Sequence, residues 1–124
     1  MSSYRDIEAY RLAHELGLVC HPLSMKLPKY ELYESGSQLR RASKSVSANI
    51  VEGYGRRRYK ADYIKFLVCA HASCDETIEW LTYLHELYPG LSEEIGSAME
   101  LCNRTGAKLN KFIQSVEKQH NAFA

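Results

Sequence analysis

Apolar residues recur along this chain at steps of three and four, the pattern of helices that each bury one stripe. Near the start, Ala9, Leu12, Ala13, Leu16, Val19, Cys20 and Leu23 keep that spacing. Ser3 with Asp6 has the form of a capping box and predicts a helix start there. Pro22 lies inside the stripe, where it predicts a kink or an unpaired carbonyl, and Pro28 is expected to end the helix. A second helix is predicted over about Tyr33 to Tyr54, with Leu39, Ala42, Val46, Asn49, Ile50 and Gly53 facing inward. Its small side chains (Ala42, Ser43, Ser45, Ser47, Ala48) let a neighbouring backbone approach, and Gly53 and Gly55 offer a stop.

The third helix is the clearest. Tyr63, Leu67, Ala70, Cys74, Ile78, Leu81 and Tyr88 hold the period, while Phe66, Thr77, Leu84 and His85 widen the stripe. No Gly or Pro interrupts Tyr59 to Tyr88, and Pro89-Gly90 then forces a turn. A fourth helix is predicted after Leu91, with Ser92 as N-cap and Glu93 and Glu94 in the first turn, where the helix dipole favours negative charge. Ile95, Met99, Cys102, Leu109, Phe112, Ile113 and Val116 form its inner face. Lys111 and Lys118 suit its C-terminal end, and residues from about Gln119 are expected to fray. No alternating pattern of strand length appears. Four helices with short joints predict one all-α domain over residues 1–124, an antiparallel up-down-up-down four-helix bundle. A chain of 124 residues holds one core of this kind and not two.

Composition adds little until charge is divided by position. The net charge of +1 hides a segregation. Residues 1–37 sum to −1, 38–65 to +6, 66–101 to −7 with no Lys or Arg, and 102–124 to +3. Such a division speaks to partners and assembly. Arg40, Arg41 and Lys44 fall within about one helical turn. Arg56, Arg57, Arg58 and Lys60 gather at the joint between the second and third helices, interleaved with Tyr54, Tyr59 and Tyr63. Guanidinium forks grip phosphates and tyrosine rings stack on unpaired bases. These residues are therefore candidate contacts to RNA or DNA, with Tyr54 and Tyr59 as stackers. A second reading stays open, in which the positive stretch balances the −7 segment within the bundle or across a subunit interface.

Other chemistry finds less support. There is no phosphate-cradling glycine loop, nucleophile elbow or H-E-x-x-H, and Gly53-Tyr54-Gly55 is too short for a dinucleotide fingerprint. No Glu-x-x-His of the di-metal bundles occurs. His14 and His71 are expected to approach the interior, and His71 and His85 to be half-buried edges of the core. No enzyme activity, cofactor, metal or small-molecule substrate is expected. Cys20, Cys69, Cys74 and Cys102 all lie among apolar neighbours and are expected to be buried reduced thiols. The charged start is no signal peptide and no run is long enough to span a membrane, so a cytoplasmic location is expected. Asn49 and Glu52, if buried, need hydrogen bonds to other helices or to Arg41 and are candidates for a polar core.

The stretch from Gln38 to Arg56, QLRRASKSVSANIVEGYGR, resembles the signature of the 23S rRNA intervening-sequence protein family of S23-type four-helix bundles. Tyr4 to Tyr10 is similar to the start of that family's first helix. Asp62 to Leu67, with Ala70, Ser73 and Glu76, is similar to its third-helix pattern, and adds Ser73 and Glu76 to the candidate polar core. Ser47 stands where members often have Pro, Val51 where they have Ala, and Pro22 is foreign to the pattern. The resemblance implies an antiparallel bundle assembled as a ring-shaped homopentamer, without known enzymatic activity. It also implies two contexts: proteins encoded in insertions within bacterial large-subunit rRNA genes, and a related bundle that is an accessory factor to a reverse transcriptase.

Overall fold

A computed structural model of the chain describes residues 3–119. These form α1 (Glu8–Ser24), a single helical turn α2 (Lys29–Leu32), α3 (Ser35–Gly55), α4 (Lys60–Leu87) and α5 (Ser92–Gln119). Two 3-10 turns, Tyr4–Asp6 and Pro89–Leu91, precede α1 and α5. The four long helices are those the periodicity predicts, and no strand occurs among the described residues.

Contacts between helices give their directions. Gly17 of α1 faces Ser43 and Lys44 of α3, whereas Ser24, later in α1, meets Arg40, earlier in α3. Gly53 of α3 lies against Tyr63 and Phe66 of α4, and Ser45 bonds Ser73 at 3.0 Å. Cys74 meets Cys102 of α5, and Lys60 reaches the Glu117 carbonyl. Lys26, just beyond α1, pairs with Glu94 at 2.7 Å, while Glu8 pairs with Lys108 at 3.5 Å. In every pair a later residue of one helix meets an earlier residue of the next, so neighbours run antiparallel. Each long helix packs on its sequence neighbours and α5 closes the square on α1.

The core is built from the inner stripes. Leu16, Leu39, Val46, Ile50, Leu67, Leu81, Leu84, Ile95 and Leu109 are sealed from solvent. The small-residue face of α3 meets α4 most intimately at Gly53. A β-carbon there would sit 3.2 Å from both Phe66 Cβ and the Tyr63 carbonyl. Buried hydroxyls are satisfied inside their own helices: Ser43 donates to the Arg40 carbonyl, Thr77 to that of Ser73 and Thr105 to that of Leu101.

Helix ends depart from the sequence expectation. The Ser3–Asp6 capping box forms, but it caps the 3-10 turn, and α1 begins after Ile7. Pro22 sits in the last turn of α1, where its missing N–H removes the bond to the Leu18 carbonyl, and the helix ends two residues on at Ser24, short of Pro28. Ser92 has helical dihedral angles and is the first residue of α5 rather than its cap. The fraying expected from about Gln119 lies almost wholly outside the described residues.

Candidate nucleic-acid interface

The basic stretch is continuous in sequence and divided in space. Arg40 and Arg41 sit near the start of α3, and Arg57 and Arg58 just beyond its end. At 1.5 Å per residue the two groups are roughly 24 Å apart.

The first group is largely occupied by the fold. The Arg40 guanidinium donates to Ser24 Oγ and to the Leu32 carbonyl, both at 2.8 Å, and so ties α1 and α2 to α3. Arg40 is therefore a strut and not an open phosphate contact. Lys44 donates to His21 Nδ1 at 2.8 Å, which leaves that imidazole nitrogen as the acceptor. Arg41 is exposed.

At the α3–α4 corner the arginines differ from one another. Arg56 pairs with Glu52 at 2.6 Å, approaches Asp62 at 3.7 Å and lies 4.8 Å from the centre of the Phe66 ring. The Glu52 carboxylate, by hydrogen bond and charge, raises the Arg56 pKa further. Arg57 lies over Tyr54, 4.0 Å from the ring centre, and donates to the Tyr54 carbonyl. Arg58 is exposed beside Tyr59, which is 63% exposed. Neither Arg57 nor Arg58 has an acidic partner among the described residues. Lys60 turns inward to the Glu117 carbonyl at 2.8 Å. The corner therefore presents Arg57, Arg58 and Tyr59 outward, with Lys65 exposed one turn farther along α4.

Tyr54 is half-buried and acts as a base plate rather than a stacker. Its ring meets Tyr4, 6.4 Å away, and Tyr63, 6.5 Å away. Burial pushes the Tyr63 hydroxyl pKa up to about 12, with the neighbouring Tyr54 adding to the shift.

The candidate polar core divides in two. Ser73 is half-buried and joins Ser45 across the α3–α4 contact, and Asn49 donates to the Ser45 hydroxyl and carbonyl on its own helix. Glu52 and Glu76 are exposed and belong to no core. Glu52 pairs with Arg56 one turn on instead of with Arg41, and Glu76 accepts from Trp80 Nε1 at 3.1 Å. Among the histidines, His71 is half-buried while His14 and His85 are exposed. Cys20, Cys74 and Cys102 are buried, whereas Cys69 points to solvent. Burial drives the Cys20 thiol to about 11, and a hydrogen bond with Cys74 together with burial pushes Cys102 upward. Among the described residues no group of three or more His, Cys, Asp and Glu is placed to hold a metal ion.

One surface escapes the periodicity argument. Trp80, Tyr83 and Leu87 follow one another on the outer side of α4, and Tyr33 stands opposite at the start of α3. Tyr33, Glu34, Ser35, Gln38 and Trp80 line an open groove of about 310 Å³. The signal available in the sequence was α4 itself, whose apolar residues run beyond one stripe.

Fold and surface together define a class: an antiparallel four-helix bundle with one cationic corner and no helix long and apolar enough to cross a membrane among the described residues. The family model of the 23S rRNA-intervening sequence protein matches residues 5–111, and the chain belongs to that family. A crystal structure of a protein of unknown function from the S23 ribosomal protein family of Bacteroides thetaiotaomicron VPI-5482 has the same fold. It superposes with a TM-score of 0.72 at 23% identity, covering 85% of this chain and 97% of that one. No curated protein matches this chain.

Proposed function

We propose that this chain is a non-catalytic, self-associating bundle of the cytoplasm whose α3–α4 corner binds the backbone of RNA or DNA. One observation carries the reading: Arg57 and Arg58 stand without acidic partners among the described residues, beside exposed Tyr59, at a corner stiffened by the Arg57–Tyr54 stack. Guanidinium groups held this way contact phosphates with little ordering cost, and the neighbouring ring adds a platform for an unpaired base. Self-association, in the ring of five that the family resemblance implies, would repeat the corner and multiply weak contacts into avidity.

Gel-shift titration at low salt tests this. The expected result is binding of RNA or DNA that weakens steeply with salt, and at least tenfold weaker binding for Arg57→Glu with Arg58→Glu. Failure of the wild-type chain to bind either nucleic acid refutes it. A second reading has its own support, because Arg40, Arg56 and Lys60 are engaged within the chain. In that reading the protein is a scaffold or an accessory subunit, of a reverse transcriptase for example, without nucleic-acid contact. The same double variant then dissociates the oligomer by sedimentation, whereas under the first reading it stays assembled and loses nucleic acid.

A further inference from the structure

The groove between the start of α3 and the outer side of α4 has an aromatic floor and an acidic rim. Tyr33 is 81% exposed, Tyr83 52% and Leu87 58%. Trp80 and Tyr83 lie with ring centres 6.2 Å apart and planes tilted by 38°. The Trp80 N–H is already bonded to Glu76, so the indole presents its ring rather than an unsatisfied donor. Glu34 lines the groove and Glu76 holds Trp80, while the exposed Glu79 and Glu86 stand four residues before and three after Tyr83, on its face of α4. No Lys or Arg occurs between residues 66 and 101 to neutralise the α4 side. Large exposed aromatic patches rimmed by charge mark sites of association.

We infer that this groove docks a basic, arginine-bearing segment of a partner protein. Guanidinium planes stack on Trp and Tyr faces while their N–H groups reach carboxylates, and this groove supplies both in one place. A lysine segment matches the charge but not the stacking. A nucleic acid is disfavoured here, because its phosphates would meet the carboxylates of this rim.

Trp80 is the only tryptophan in the chain and reports on the groove directly. The full chain would be titrated with a blocked hexa-arginine peptide at about 150 mM salt, where long-range attraction is screened. Trp80 emission should change saturably, and anisotropy of a labelled peptide should give the same affinity. Hexa-lysine should bind at least threefold more weakly and hexa-glutamate not at all. Tyr33→Ser with Tyr83→Ser, at exposed positions that leave the core intact, should weaken hexa-arginine at least tenfold. Glu79→Gln should weaken it severalfold, and Glu100→Gln, on α5, should not. Equal loss in Glu79→Gln and Glu100→Gln, or equal binding of the two cationic peptides, would mean diffuse charge attraction and overturn the inference. A Trp80 signal that follows protein concentration and ignores peptide would overturn it too, by showing a second copy in the groove.

Discussion

Replacing Arg40 with alanine separates a structural arginine from a binding one. Its guanidinium serves Ser24 Oγ and the Leu32 carbonyl at 2.8 Å each. Ser24 has no exposure, and its hydroxyl proton is committed to the His21 carbonyl at 2.7 Å. Removing Arg40 leaves the Ser24 oxygen with an unfilled acceptor site in the interior, which costs about 1–3 kcal/mol. The Leu32 residue is half-buried, so water replaces most of that bond and about 0.5–1 kcal/mol is lost. The expected total is about 1.5–4 kcal/mol. For a domain of this size it lowers Tm by on the order of 10 °C. Arg40→Lys should recover less than half, because one ammonium cannot hold two acceptors in a fork. Urea titration followed by circular dichroism measures the stability, and gel shift at a temperature where the variant is folded measures binding. A variant within about 0.5 kcal/mol of wild type that had instead lost nucleic-acid affinity would refute the assignment and return Arg40 to the interface.

Other consequences follow from the same packing. Tyr88 donates to Glu31 at 2.6 Å, and that bond, with those from Ser35, holds the Glu31 pKa below 4.5. A depressed carboxylate contributes stability above its unfolded pKa and loses it as pH falls, so the gap in urea midpoint between wild type and Tyr88→Phe should close below about pH 4.5; a gap constant from pH 7 to 3 contradicts this. At concentrations where the folded chain is monomeric a maleimide should modify Cys69 rapidly, and Cys20, Cys74 and Cys102 only on unfolding, as read by mass spectrometry. Gly96 lies inside α5 with nothing within 4 Å of a β-carbon, so Gly96→Ala should stabilise by about 0.5–1 kcal/mol. The same change at Gly53 meets Phe66 and the Tyr63 carbonyl at 3.2 Å and should destabilise by about 1–2 kcal/mol in calorimetry, despite the gain in helix propensity.

The helices were legible because their signal is local: an apolar step of three or four needs no knowledge of the neighbour. The end of α1 was not, because Arg40, sixteen residues after Ser24, captures the helix end. The site was half legible. A run of positive charge reads as one patch, yet a helix carries its two ends apart, and long side chains turn to whatever acceptor is near. Glu52 and Glu76 were open to a correct reading. At about 100° per residue, Glu52 lies some 200° from buried Ile50 and Glu76 the same angle from buried Cys74. The shared motif points Glu76 inward where the helical angle points it outward. The groove was hidden for the opposite reason. Tyr33 and Trp80 are 47 positions apart, and no periodicity within one helix brings them together.

The positions of the two surfaces constrain how copies of this chain assemble. The basic corner lies beyond the end of α3 and the groove at its start, separated by more than twice the Debye length of about 8 Å at physiological salt. Opposite charges at opposite ends invite a head-to-tail contact, and a ring closed in that way would consume both. A ring that keeps the corner open for nucleic acid and the groove open for a partner must instead join along the sides of the helices. Midway along α4, Val68 is 50% exposed and Cys69 and Ala72 are exposed next to it, a short apolar face between the two charged surfaces. Cys69 then becomes a probe of assembly. If subunits join there, maleimide labelling of Cys69 should be fast at concentrations where sedimentation finds monomers and at least tenfold slower once the oligomer forms. If Cys69 labels equally fast in both states while Trp80 emission shifts on assembly, the ends meet instead, and a subunit's corner and a partner's basic segment compete for one groove.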